Sequence, residues 1–202
     1  MIILRDINSK NSKIVVKSAI QLISEYPEEA QAILSEASKH HDVETRRELA
    51  SSLQRISSDD PQLALMLMQE LLEDEDSDTR VLSVTFLSSI VRYDIHTFTV
   101  KASEVLQKGD ERMTQRIVDA AMREYLSINP TDKESLLSYA WTSSGESSKS
   151  RLVGLIMQQY EVSQEGFTRS CTKIFDSSNQ SYQDLRERIL RRDPSMKQKM
   201  PF

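Results

Sequence analysis

Few residues in this chain combine the types and spacing that site chemistry requires. The run DEDSD (74–78) alternates acids in the manner of a calcium-binding loop. Such a loop needs Gly at its sixth position and a bidentate Glu at its twelfth. Those positions hold Thr79 and Thr85, so the run reads as an acidic turn entering a helix. His40, His41, Asp42 and Glu44 are metal-ligand types, but adjacent histidines on a helix point about 100° apart. The remaining histidine is His96, and the sequence predicts a solvated loop there. Cys171 shares a helical face with Phe167, Ile174 and Phe175. A free cysteine in that setting packs as a small hydrophobe rather than acting as a nucleophile. There is no glycine-rich phosphate loop and no Gly-x-Ser-x-Gly. The expectation is no catalytic residue, no metal site and no cofactor.

The elements that would position these residues show a period. Asp42…Thr45-Arg46 recurs 34 residues later as Asp76…Thr79-Arg80, each time ahead of an apolar helical pattern. Arg46, Arg80, Arg116 and Arg151 follow one another at intervals of 34, 36 and 35. Pro27 and Pro61 are 34 apart, and Pro130 lies 69 beyond Pro61. Proline suits the first turn of a helix, where its missing N–H is not needed. Each proline therefore marks the second helix of a helix–turn–helix unit. First helices are predicted at about 12–25, 43–57, 77–92, 111–127 and 147–161. Second helices are predicted at about 28–38, 61–73, 96–107, 131–141 and 164–175, with a last helix at about 181–192. In 61–73 nearly every side is apolar, which predicts a helix sandwiched between neighbours.

Composition agrees with a layered helical protein. Hydrophobic residues are 38% and aromatics 6%, thin for one globular core, and four Gly with five Pro are too few for a strand-and-turn fold. A net charge of −5 argues against attraction of nucleic acid to the whole surface. One cysteine excludes an internal disulfide framework. MIILRDINSKNSK is no secretory signal, and Leu63–Met68 is too short to span a bilayer. A soluble, cytoplasmic protein is expected. No linker divides the chain, so residues 1–192 read as one repeat domain and 193–202 as a basic tail. From Ser178 onward, Arg186, Arg188, Arg191, Arg192, Lys197 and Lys199 face Asp184, Glu187 and Asp193. That surplus reads as a polar cap, or as a contact for phosphate or an acidic partner.

The Asp-x-x-x-Arg pairs and the prolines between paired helices resemble HEAT-type α-solenoid proteins over nearly the whole chain. The 34-residue spacing also matches tetratricopeptide repeats, whose Trp-Leu-Gly-Tyr pattern no unit carries. The resemblance implies an all-α solenoid of about five helix pairs in a right-handed superhelix, second helices lining its concave side. It also implies a ladder in which each arginine reaches the equivalent acid of the next repeat: Asp42, Arg46, Asp76, Arg80, Arg116 and Arg151. QRIVDAAMREYLSINP (115–130) further resembles HEAT-like alkylpurine DNA glycosylases. There Arg80 matches an arginine, but the catalytic acid falls on Thr45 beside Glu44. The aromatic positions hold His41 and Asp119 or Ala120, and Trp141 is misplaced. Loss of that acid and of the stacking walls argues against the activity.

Two uses follow. One is a non-catalytic scaffold offering its concave face to a protein partner. The other is a DNA-binding, glycosylase-like protein. Its concave face or its basic C-terminal segment would then hold phosphates, with Arg80, Lys101, Arg169 and Lys173 as candidates and Glu44 as a substitute acid. The apolar Ile2-Ile-Leu4 suggests a homo- or hetero-oligomer through the N-terminal repeat. No membrane contact is expected.

Overall fold

The computed structural model describes residues 9–128, 133–177 and 179–200. Ile2-Ile-Leu4 and Pro130 lie outside them. The described residues are helical and contain no strand. They pack as two compact units, one ending at Phe86 and the other beginning at Leu87.

The first unit holds α1 (Ser9–Gln21), α2 (Pro27–Ala37), α3 (Val43–Asp59), α4 (Pro61–Leu71) and α5 (Ser77–Thr85). Each first helix packs on the next, α1 on α3 on α5, while the second helices α2 and α4 pack on one another and on α3. The two layers enclose Val16, Ile20, Leu34, Leu49, Leu53, Ile56, Leu67 and Met68, all buried. On α4 the buried set is Leu63, Ala64, Leu67, Met68 and Leu71, one broad stripe. Leu65 and Met66 are half-buried, so α4 is not enclosed by neighbours on all sides as its composition suggests.

The second unit holds α6 (Leu87–Ile90), α7 (Ile95–Gln107), α8 (Glu111–Ala120), α9 (Met122–Ile128), α10 (Lys133–Thr142), α11 (Glu146–Val162), α12 (Gln164–Ser177) and α13 (Asn179–Arg192). The layering repeats, with α8 on α11 on α13 and α7 on α10 on α12. Its core is aromatic: Phe98, Tyr125, Trp141 and Phe167 are fully buried. Residues 194–198 form a 3-10 turn that seats Met196 against α13, and Met200 is buried as well. The segment read as a basic tail is therefore folded onto its unit through Met200.

The spans agree closely with the periodicity, apart from two interruptions. The helix expected over 77–92 divides at Phe86, whose N–H reaches only three residues back, to the Ser83 carbonyl at 3.1 Å. Just before the break, Ser83 Oγ donates to the Thr79 carbonyl at 2.8 Å and Thr85 Oγ1 to the Val81 carbonyl at 3.2 Å. Such back-bonding competes with the helical ladder and bends helices. The helix expected over 111–127 divides at Ala121, where φ is −115°.

Every capped start in this fold uses a short acceptor. At α7, Asp94 accepts from the Thr97 N–H at 3.0 Å and from Thr97 Oγ1 at 2.6 Å. We expect Asp94→Ala to cost about 1 kcal/mol, read as a lower urea midpoint at unchanged m-value.

Candidate functional site

The chemistry-bearing side chains of the first unit gather along a seam where successive first helices begin. Asp42 accepts from the Thr45 N–H at 3.1 Å and from Thr45 Oγ1 at 2.8 Å. Asp76 accepts from the Thr79 N–H at 2.8 Å and from Thr79 Oγ1 at 2.9 Å. Asp110 accepts from the Met113 N–H at 3.0 Å. The second helices α4 and α7 start in the same way, Asp60 accepting from the Leu63 N–H and Asp94 from the Thr97 N–H. Asp42, Asp76 and Asp110 are spaced by 34 and 34, and Asp60 and Asp94 by 34. The strict period of the chain thus lies in its caps.

The arginine series is looser, and the ladder differs from the one expected. Arg46 does not pair with the equivalent acid, Asp76. Its Nε and Nη2 donate to Asp74 at 2.6 and 3.0 Å, and Nη2 also to Glu75 at 3.3 Å. The rung to Asp76 comes from Arg47, at 2.9 and 2.8 Å, with Asp78 at 3.0 Å. Neighbouring helical residues point about 100° apart, which aims Arg47 at the cap and Arg46 at the loop before it. Arg46 and Arg80 do share a role. Arg46 Nη1 donates to the His40 and His41 carbonyls at 2.7 and 3.3 Å, and Arg80 Nη1 to those of Asp74 and Glu75 at 2.7 and 3.1 Å. Each closes the loop six residues upstream of itself. Arg116 and Arg151 stand six residues, not four, after the caps Asp110 and Gly145. Both are exposed, and Arg151 reaches back to Asp119 at 3.8 Å.

The seam contains pairs that the sequence reading missed. Lys13–Glu44, Lys17–Glu48, Lys39–Glu70 and Arg47–Asp78 each join residues 31 apart. That interval is the 34-residue period less about one helical turn, the offset of adjacent parallel helices, and it was available in the sequence. Ser12, placed where the first unit lacks its acid, shares a 2.5 Å hydrogen bond with Thr45 Oγ1. His40 is buried rather than solvated, and its Nδ1 accepts from the Asp42 N–H at 3.1 Å. No group of three or more metal-ligand side chains gathers among the described residues. Cys171 is buried, which pushes its thiol up to about 12.

The candidate binding residues fall on both units. Glu44 bonds Lys13 and Arg47, both at 3.1 Å. Lys101 pairs with Glu104 at 3.1 Å, and Arg169 with Glu134 at 3.3 Å and Glu165 at 3.1 Å. Lys173 is exposed on α12. Thr45, where the expected resemblance would set a catalytic acid, is fully buried between Asp42 and Ser12. The aligned aromatic positions hold an exposed His41 and the Arg151 partner Asp119.

Cavities open in the second unit beside first helices. One, of about 540 Å³, lies between α9 and α11, lined by Arg123, Leu126, Leu155, Gln158 and Val162 among others. Val162 is 88% exposed and Ile128 45%. A smaller cleft of about 270 Å³ lies between α11 and α13. No family model, curated protein or solved structure matches this chain.

The seam makes stability depend on pH with a definite sign. The Arg47 guanidinium and the Thr79 donors hold the Asp76 carboxyl well below the ordinary range, and the Thr97 hydroxyl and N–H lower that of Asp94. An unfolded aspartate titrates near about 3.9, so on acidification the unfolded chain takes up protons first. The contribution is complete above about pH 5 and drains as pH falls through about 4. Arg47 is shifted upward and stays charged throughout. Urea midpoints measured from pH 6 to pH 3 should fall, and Asp76→Asn should flatten that slope.

Proposed function

We propose that this chain is a non-catalytic helical-repeat scaffold of the solenoid type that binds a segment of a protein partner. The observation that carries the reading is the α9–α11 groove, where apolar and hydrogen-bonding side chains line one hollow. Leu126, Leu155 and Val162 supply apolar surface, and Gln158 and Arg123 supply donors at its rim. A hollow with this mixture suits a peptide that buries one or two apolar side chains while its backbone stays hydrogen-bonded. The groove runs between first helices, whereas Lys101, Arg169 and Lys173 belong to second helices.

The DNA-repair reading has less support. Its arginine, Arg80, spends Nη1 on two loop carbonyls, and its substitute acid, Glu44, is bound to two cations. No helix among the described residues is long and apolar enough to cross a membrane.

A photoreactive benzophenone side chain at the exposed position Val162 tests the reading in cells. It should trap a protein, and Arg123→Glu should reduce the yield severalfold. In parallel, fluorescent duplex DNA, intact or carrying an abasic-site mimic, should bind no tighter than about 10 µM at physiological salt. Tighter, salt-sensitive DNA binding that Arg80→Ala abolishes, or turnover of an alkylated base, would contradict it.

A further inference from the structure

The cleft between α11 and α13 collects three arginines from one helix face. Arg188, Arg191 and Arg192 stand at i, i+3 and i+4 on α13, opposite Ser150 and Val153 of α11. Their charges are not equally available. Arg188 donates to Asp184 at 2.6 Å and to both oxygens of Glu146 at 2.7 and 2.9 Å. Asp184 also takes Lys149 at 3.1 Å. Arg188 is thus a neutralised strut joining α11 to α13. Arg191 is 78% exposed and meets Glu187 only at 3.8 Å. Among the described residues, no carboxylate lies within ion-pair distance of Arg192.

Arg192 is exposed, yet its guanidinium comes close to α11. A Cβ on Gly154 would stand 3.0 Å from Arg192 Nη1 and 3.5 Å from both Cζ and Nη2. These distances bring the guanidinium end of Arg192 over the side-chain-free face of Gly154 on α11. Glycine costs a helix interior stability relative to alanine, and here its lack of a side chain leaves the guanidinium its seat. An unpaired, seated guanidinium beside a second loosely engaged one and a serine hydroxyl is a receptor for an oxyanion with two charges.

We propose that this cleft binds a phosphomonoester dianion, with Arg192 and Arg191 as its charge partners and Ser150 as a neutral donor. Its volume of about 270 Å³ admits a phosphoryl group together with the atoms that carry it. A phosphodiester backbone needs a run of uncompensated cations, and Lys101 and Arg169 already pair with carboxylates. A free small-molecule phosphate and a phosphoserine on a protein share the recognised chemistry. The site is independent of the α9–α11 groove.

The test is an NMR and calorimetric titration of the full chain with four probes: inorganic phosphate, a nonapeptide with one central phosphoserine, its unphosphorylated twin, and duplex DNA. Phosphate and phosphopeptide should compete for one site, and the twin should not bind. Affinity should rise as pH passes about 6, where the second phosphate proton is lost. Of the charged groups beside the cleft, Glu146 and Asp184 are held below the ordinary carboxylate range, and Glu187 and Lys149 flank them. Equal affinities would assign the site to free phosphates, and a tighter phosphopeptide would assign it to a protein. Arg192→Ala should weaken binding about tenfold, the loss of one charge-assisted contact. Gly154→Ala should weaken it severalfold while preserving every charge and without lowering Tm. Indifference to both substitutions, no phosphate-dependent binding at millimolar probe, or DNA bound as tightly as phosphopeptide would overturn the proposal.

Discussion

A carboxylate at a helix start, shared with a guanidinium from the preceding helix, is the constraint on which the first unit depends. The first N–H groups of a helix have no partner within it, and the macrodipole adds positive character there. An aspartate at the cap answers both demands for its own helix. Once placed, it also accepts from a cation one repeat back, on the capping oxygen and on the other. Asp76 does this, capping α5 through Thr79 while receiving Arg47 from α3. Local folding of one helix and its register against the previous one are thereby fixed by the same side chain. Arg46 completes the arrangement from within the loop, its side chain only 8% exposed beside an Asp74 side chain that is 5% exposed. That pairing ties three backbone segments together, because Arg46 also holds the His40 and His41 carbonyls.

Much of this was legible in the sequence, for physical reasons. Helix spans followed from apolar periodicity and from prolines at first turns, and Pro27 and Pro61 do begin α2 and α4. The acid-arginine recurrence marked the seam. Which arginine faced which acid was not legible, because adjacent helical residues differ by about 100° in direction and the inter-helix rotation is a property of packing. His40 shows a second limit. Its polarity and its loop position suggested water, but its ring nitrogen supports the backbone entering α3 and is buried with it. The break at Phe86 depends on hydroxyls bonding back to carbonyls, which hydrophobic patterning does not register. Of the candidate binding residues, Lys101, Arg169 and Lys173 are cations on second helices, whereas Glu44 and Arg80 lie on first helices. Folding paired Lys101 and Arg169 with carboxylates and left spare capacity on first helices, at Arg123 and Arg192.

That redistribution separates two kinds of cation. Those in the first-unit seam stabilise the fold and are occupied: Lys13 and Lys17 meet acids on the next first helix, Arg47 meets the acid that caps it, and Arg46 meets Asp74 in the loop before it. In the second unit, Arg188 does the same work between α11 and α13. The arginines beside it do not, and the hollows flanking α11 are where side chains of binding character remain unspent. A scaffold assembled from repeats can divide labour in this way, since each repeat needs only its neighbours to be stable.

The most direct test of this account is a double-mutant cycle on Arg46 and Asp74, with unfolding free energies for Arg46→Met, Asp74→Ala and the pair. Removing either partner alone leaves a buried charge or buried carbonyls unanswered. The account predicts a coupling of about 2 kcal/mol, in the upper part of the range for contacting residues. A coupling below about 0.5 kcal/mol would mean that the seam decorates a stack held together by its apolar layers alone.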